Sequence, residues 1–312
     1  MRYMTTRTSK DSYTALQALN DNIAPDGGLF IPWQLPNFDY EQLSTLADEG
    51  FCGAVANVLN QLLGTDINAW DVGFSVGRTP IKFSGIGRRV LVAEAWHNPG
   101  LSYSYAVSGI NGRIMNDRNA PVSSWTAVAI GIAYIFGMYA ELLKSDSFEH
   151  TNLLDFCVSD GNFILPAAAM YARQMGLPIG KIIISSASSS AVWDLINRGQ
   201  MGTSLLQQTQ KVAMERLVCG VFGHEQVPSY VAACQRHGVY SVPEESLDVL
   251  PQIMFGAVVG SDRTHSIITN VLKSFNYKLS DDTAVCYGGV QDYRAKTGQG
   301  RLALIFGTCK PE

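Results

Sequence analysis

The stretch HNPGLSYSY, residues 97–105, places His97, Ser102, Tyr103, Ser104 and Tyr105 close together after an apparent strand. Pro99 and Gly100 force a turn, so the imidazole can face the serines across it. A serine nucleophile needs such a base within hydrogen-bond reach and an oxyanion hole. The spacing alone establishes neither, and the chain has no G-x-S-x-G elbow. A Ser/His site and a hydrogen-bonded loop are both compatible with these residues. A second stretch, SDGNFILP (residues 159–166), puts Asp160, Gly161, Asn162 and Phe163 at a strand-to-helix junction. Backbone N–H groups in a glycine turn, aided by a helix start, suit an anion such as phosphate; a plain turn reads the same way. In the tail FGTCKPE, Thr308 ends an apolar run and Lys310 follows it. The C-terminal ends of parallel strands are where ligands bind. Asp281 and Asp282 form an acidic pair whose expected role is helix capping rather than catalysis.

The whole chain limits what these groups can serve. Its 312 residues are 46% hydrophobic and 16% charged, with a net charge of -4, which describes a folded chain with a sizeable core. Without a basic excess, nucleic acid is not an expected partner. The six cysteines form no CxxC and no zinc-like set with the five histidines, so buried reduced thiols are expected and no metal. Residues 119–140 carry no charge and are long enough to raise a membrane span. Their Ser, Thr, Gly and Tyr content, without flanking basic clusters, predicts a buried core helix instead. The opening MRYMTTRTSKD lacks a signal-peptide apolar run, from which a cytoplasmic location is expected.

Around the candidate residues the pattern is α/β. Residues 39–63 have helical spacing interrupted at Gly53, and residues 79–96 read as paired strands turning at Gly85–Gly87. LLDFCVSD predicts a strand, GNFILPAAAMYARQMG a turn and helix, KIIISSA a strand, and SSAVWDLINRG a helix after a Ser-rich cap. That order favours a mostly parallel sheet covered by helices. Residues 265–295 predict two further helices, and RLALIFGT a final buried strand.

Taken in this order, the stretches resemble threonine synthase, a fold-type-II pyridoxal phosphate enzyme family. YMTTRT is similar to that family's Tyr-x-Ser-Thr-Arg-Gly start, and APDGGLFIP to its N-terminal signature. VAEAWHNPGLSYSY lines up with its His-Gly-Pro-Thr-Leu-Ala-Phe-Lys-Asp loop, SDGNF with its Ser-Gly-Asn-Phe-Gly phosphate loop, and the last helix and strand with its ending. The resemblance implies a truncated fold-type-II core: an N-terminal segment over residues 1–79 and an α/β core over 80–312, with an inserted small domain missing. It also places the family's Schiff-base lysine on Ser104 and the following aspartate on Tyr105. Ile164 stands where the phosphate loop has its second glycine, and Thr308 where a threonine faces the pyridine nitrogen.

A serine hydroxyl forms no imine with an aldehyde. From that substitution we expect no cofactor, with pyridoxal phosphate absent, and a repurposed enzyme that hydrolyses, dehydrates or cyclises a small organic substrate. His97, Tyr103, Ser104, Tyr105 and Asp160 would then be catalytic. Ser102, Gly161, Asn162, Phe163, Thr308 and Lys310 would bind substrate. The alternatives are a non-catalytic binder of a metabolite or partner, and an ordinary pyridoxal phosphate-dependent threonine synthase. A deleted domain uncovers apolar surface, so a homodimer is expected.

Overall fold

The computed structural model describes residues 1–77, 81–96, 102–119, 121–145, 148, 152–161, 164–204 and 206–311. The chain opens with β1 (Arg2–Thr5), β2 (Tyr13–Thr14), α1 (Ala15–Asn20), β3 (Phe30–Pro32), α2 (Tyr40–Leu63) and α3 (Ala69–Val76). The hairpin β4 (Lys82–Gly87) and β5 (Val90–Glu94) follows, then α4 (Tyr103–Met115) and α5 (Trp125–Leu143). Next come β6 (Leu154–Ser159), α6 (Ile164–Gln174), β7 (Ile179–Ser186), α7 (Ala191–Arg198), β8 (Gln200–Gly202), α8 (Gln208–Phe222) and α9 (Val227–Gln235). The chain closes with β9 (Val239–Ser241), α10 (Val249–Ile253), β10 (Met254–Val258), α11 (Ser261–Phe275), α12 (Asp281–Thr297) and β11 (Leu302–Gly307).

The central sheet has the order β10-β7-β6-β11-β5-β4, parallel throughout except for β4. This is the α/β architecture read from the alternating pattern. Because β11 lies between β5 and β6, the ends of β5, β6, β7, β10 and β11 share one edge. One face of the sheet packs on α11 and α12 through Val92, Cys157, Ile183 and Ile305. The other carries the larger core, built around α5.

Helix α5 is buried at every position except Glu141 and Leu143, which explains why it carries no charge before Glu141. It lies inside the protein, with the Phe136 ring tilted against Phe38 and Tyr134 edge-on to Phe51. Gly137 makes that packing possible, since a Cβ there would come within 2.7 Å of the Phe51 ring. The break in α2 falls at Gly50, whose φ of 70° leaves the helical region, and not at Gly53. In the hairpin, Gly85 and Gly87 flank a bulge, while the turn is made by Arg88 and Arg89 with Arg89 at φ 56°. The turn expected at Gly85–Gly87 thus lies at Arg88 and Arg89, and the glycines sit in the strand at the bulge.

The N-terminal segment is tied down by charge. The Thr6 hydroxyl donates to Glu215, and Arg7 donates to both Glu215 oxygens at 3.2 Å. Thr5 donates to Asp26 at 2.6 Å, so the YMTTRT and APDGG stretches hold each other. Beside Glu215, the buried Arg216 donates to the carbonyls of Val122 and Ser123, and burial lowers its pKa to about 10.

Two substitutions test this account. Gly137→Ala is expected to destabilise the fold by about 1–3 kcal/mol in chemical denaturation, through overpacking against Phe51. Gly300→Ala, whose Cβ meets no atom within 4 Å, is expected to leave the midpoint unchanged.

Candidate functional site

The shared strand edge gathers two polar groups. The first begins at Ser102, which caps α4 by accepting from the Tyr105 N–H at 3.4 Å. The Ser102 and Ser104 hydroxyls share a hydrogen bond of 2.8 Å. The Tyr103 N–H donates to the Thr308 carbonyl at 3.2 Å, pinning the start of α4 to the end of β11. Tyr103 itself points inward, edge-on to Tyr134 and Phe306, and burial pushes its phenol well above the ordinary range. It orients the turn from within the core, whereas Ser104 and Tyr105 are exposed.

The second group lies where β6 and β7 end side by side. The Asp160 N–H donates to the Ser185 carbonyl at 3.0 Å, and its carboxylate accepts from the Ser186 hydroxyl. Ser186 and Ser190 hydroxyls lie 3.0 Å apart, and Ser190 caps α7. Burial raises the Asp160 pKa, the two serine hydroxyls oppose that shift, and nearby Asp282 adds to it. Ser159 accepts from the Gly161 N–H at 3.1 Å and donates to Asp282 at 3.4 Å. Asp281 and Asp282 occupy the first turn of α12, where acidic groups favour the helix dipole, while the capping role expected of them falls to Ser280.

Several placements lie outside or beside these groups. His97, Asn162 and Phe163 fall outside the described residues. Thr308 is half-buried with its hydroxyl 3.8 Å from the Cys309 sulfur, and Lys310 is exposed in the tail. Sequence reading missed Ser186 and Ser190 as site residues, taking SSASSS only as a cap. Parallel pairing of β6 with β7 was the available signal, because it aligns Ser159 with Ser185. It also missed Glu94, a buried carboxylate at the end of β5 that accepts from Ser84 at 2.6 Å and Tyr277 at 2.9 Å. Lys82 reaches the same edge because β4 is antiparallel, with its ammonium 3.9 Å from Glu94 and mostly exposed.

Residues 2–78 match the family described as threonine synthase N terminus. Threonine synthase-like 1 of Mus musculus is 28% identical over 132 residues, which are 42% of this chain and 16% of that protein. Threonine synthase of Methylobacillus glycogenes is 32% identical over 79 residues, 25% of this chain and 16% of that protein. The aligned stretch therefore spans under a fifth of either relative. The solved structure of pyridoxal phosphate-bound threonine synthase from Brucella melitensis superposes with a TM-score of 0.82 at 18% identity, over 100% of this chain and 89% of that one. Yeast threonine synthase gives a TM-score of 0.79 at 14% identity, over 99% and 87%.

Fold and N-terminal segment together define the class: an α/β protein of fold type II. Within that class, residues 2–78 carry the match to the threonine synthase N terminus, and the fold of the whole chain is that of threonine synthase.

The expectation from Ser104 that the protein has no cofactor is overturned by a neighbour that shares the fold over the whole of this chain and is a pyridoxal phosphate-bound threonine synthase. Serine at one position does not remove a cofactor cleft. The chemistry of Ser104 carries a narrower statement: its hydroxyl, bonded to Ser102, does not fit a lysine-type imine at residue 104. The hydroxyls of Ser102, Ser104 and Thr308 do fit a hydrogen-bonded heterocycle or carboxylate.

The raised pKa of Asp160 has a checkable sign. The folded state binds this proton more tightly than the unfolded chain does. Stability therefore falls as pH rises from the ordinary carboxyl range through the elevated value. Asp160→Asn is expected to flatten that slope in denaturation measured across pH. Ser186→Ala is expected to move the Asp160 carboxyl titration further upward by NMR, since a donor to the charged form is lost.

Proposed function

We propose that this threonine synthase-like chain binds a small organic substrate at the C-terminal sheet edge and acts on it by acid–base chemistry. The observation that carries the reading is Asp160, a carboxyl held above its usual range between two serine hydroxyls at a strand end. Such a group holds a proton more tightly than an ordinary carboxylate, which suits it to acid–base work. Ser186 and Ser190 hold the carboxyl in place, while Ser102, Ser104 and Thr308 supply hydroxyl donors for the substrate. By likeness to the pyridoxal phosphate-bound neighbour, the cleft also takes a ligand of that class, held through hydrogen bonds and not through residue 104. When bound, that cofactor supplies an electron sink for amino-acid substrates.

A non-catalytic binding role is the second reading. It is favoured by the exposed Ser104 hydroxyl, whose hydrogen bonds among the described residues run to Ser102 alone. Three further proposals accompany the first reading. The boundary between N-terminal segment and core falls near residue 79, and an inserted small domain has been lost between α4 and β6. A second copy of the chain is the partner, supported by the exposed aromatic rings of Trp70 and Phe74 on α3. The chain works in the cytoplasm.

Titration with pyridoxal phosphate is expected to give reversible binding with no imine absorption and no borohydride-reducible adduct at residue 104. Ser104→Lys is expected to create both. Against a panel of small amino and hydroxy acids, Asp160→Asn is expected to lower turnover by about 10²-fold or more with the fold intact by circular dichroism. Unchanged turnover in that variant would remove Asp160 from the chemistry, and a wild-type protein that binds panel members without converting them would establish the second reading.

A further inference from the structure

The opposite edge of the sheet, where the parallel strands begin, carries charge of the other sign. A cavity of about 580 Å³ opens there between the starts of β7, β10 and β11, walled by the C-terminal end of α12. Arg173, Lys181, Lys296 and Arg301 line it, and no described lining residue is acidic. The chain as a whole is net negative, so this concentration runs against its average charge.

The local partners do not neutralise these cations. Lys181 donates to the carbonyls of Pro251 and Gln252 at 2.6 and 2.8 Å, which satisfies its hydrogen bonds but not its charge. Arg173 spends one N–H on the Ile179 carbonyl at 3.0 Å. Lys296 lies 5.7 Å from the centre of the Phe255 ring. Among the described residues only Arg301 has a carboxylate, the buried Asp155 at 3.5 Å. Gly180 permits that contact, because a Cβ there would come within 2.7 Å of the Arg301 guanidinium. Burial, followed by Arg173 and Arg301, pushes the Lys181 ammonium below its ordinary range, while Asp155 opposes the shift. Like charges are thus held together in a partly desolvated recess, where an anion gains most.

We propose that this cavity is a binding site for a small polyanion, a phosphate-bearing metabolite with two or more negative charges. Its volume lies within the range of small-molecule sites, roughly 300–1,000 Å³. It is remote from the cleft, being reached from the N-terminal rather than the C-terminal ends of the same strands. Arg173, Lys181, Lys296 and Arg301 all line it, and Phe255 offers an aromatic wall beside the Lys296 ammonium.

The test is calorimetric titration of the full chain with inorganic pyrophosphate at low ionic strength. Saturable binding is expected, weakening as salt is added. Lys296→Gln and Arg173→Gln are each expected to weaken it about tenfold, the loss of one charge-assisted contact. Lys273→Gln, an exposed cation on α11 away from the cavity, is expected to leave it unchanged. Lys296 is exposed, so its substitution leaves the fold intact, with thermal melting as the check. Absence of saturable binding, or an unchanged isotherm in Lys296→Gln, overturns the proposal, since binding elsewhere on the chain would not respond to that side chain.

Discussion

The last strand in the sequence, β11, enters the sheet between β5 and β6, and the cleft exists because of that insertion. Its parallel ladder satisfies the inner backbone groups of both neighbours, which would otherwise face each other across a gap. The ladder continues past the strand: Ala95 donates to Gly307, and Tyr103 to Thr308. Those two bonds bracket residues 95–103 and set where α4 begins. The positions of Ser102 and Ser104 are therefore fixed by the C-terminal end of the chain as much as by their own turn.

The sheet then acts as a partition. One face is closed by α11 and α12, and the other by α5 with α2 and α6 around it. Polar groups are left to the strand ends, where backbone pairing stops and side chains meet solvent. At the C-terminal edge these groups are mostly carboxyls and hydroxyls: Asp160 with Ser186 and Ser190, Ser159 with Asp282, and Glu94 with Ser84, Tyr277 and the exposed Lys82. At the N-terminal edge they are guanidinium and ammonium groups over the single buried Asp155. Burial shifts a carboxyl up at one edge and an ammonium down at the other.

Local pattern made much of this legible. The run of β6, α6, β7 and α7 follows directly from apolar stretches separated by glycine and serine, since strand and helix periods differ. The uncharged stretch ending near Ala140 had to be either a span or a core helix, and its small and hydroxyl-bearing residues pointed to the core. Tyr103 shows the limit of the same reasoning. Its place between two serines suggested a polar role, but the first turn of a helix sends neighbouring side chains to different faces, and this one turns inward onto Phe306. Gly53 and the Gly85–Gly87 pair show it again: a glycine marks an irregularity, while the position of the break depends on which residue adopts positive φ.

By itself the sequence determined the α/β class, the burial of α5, and the resemblance that placed Ser104 where an amine would form an imine. These depend on short-range periodicity and on residue chemistry, which one chain displays directly. Only the tertiary structure decided that Asp160 sits beside Ser186 and Ser190, that Lys82 reaches Glu94, and that four cations converge on one cavity. Each of those joins residues distant in sequence through strand order and strand direction, and neither quantity is written in any local stretch of the chain.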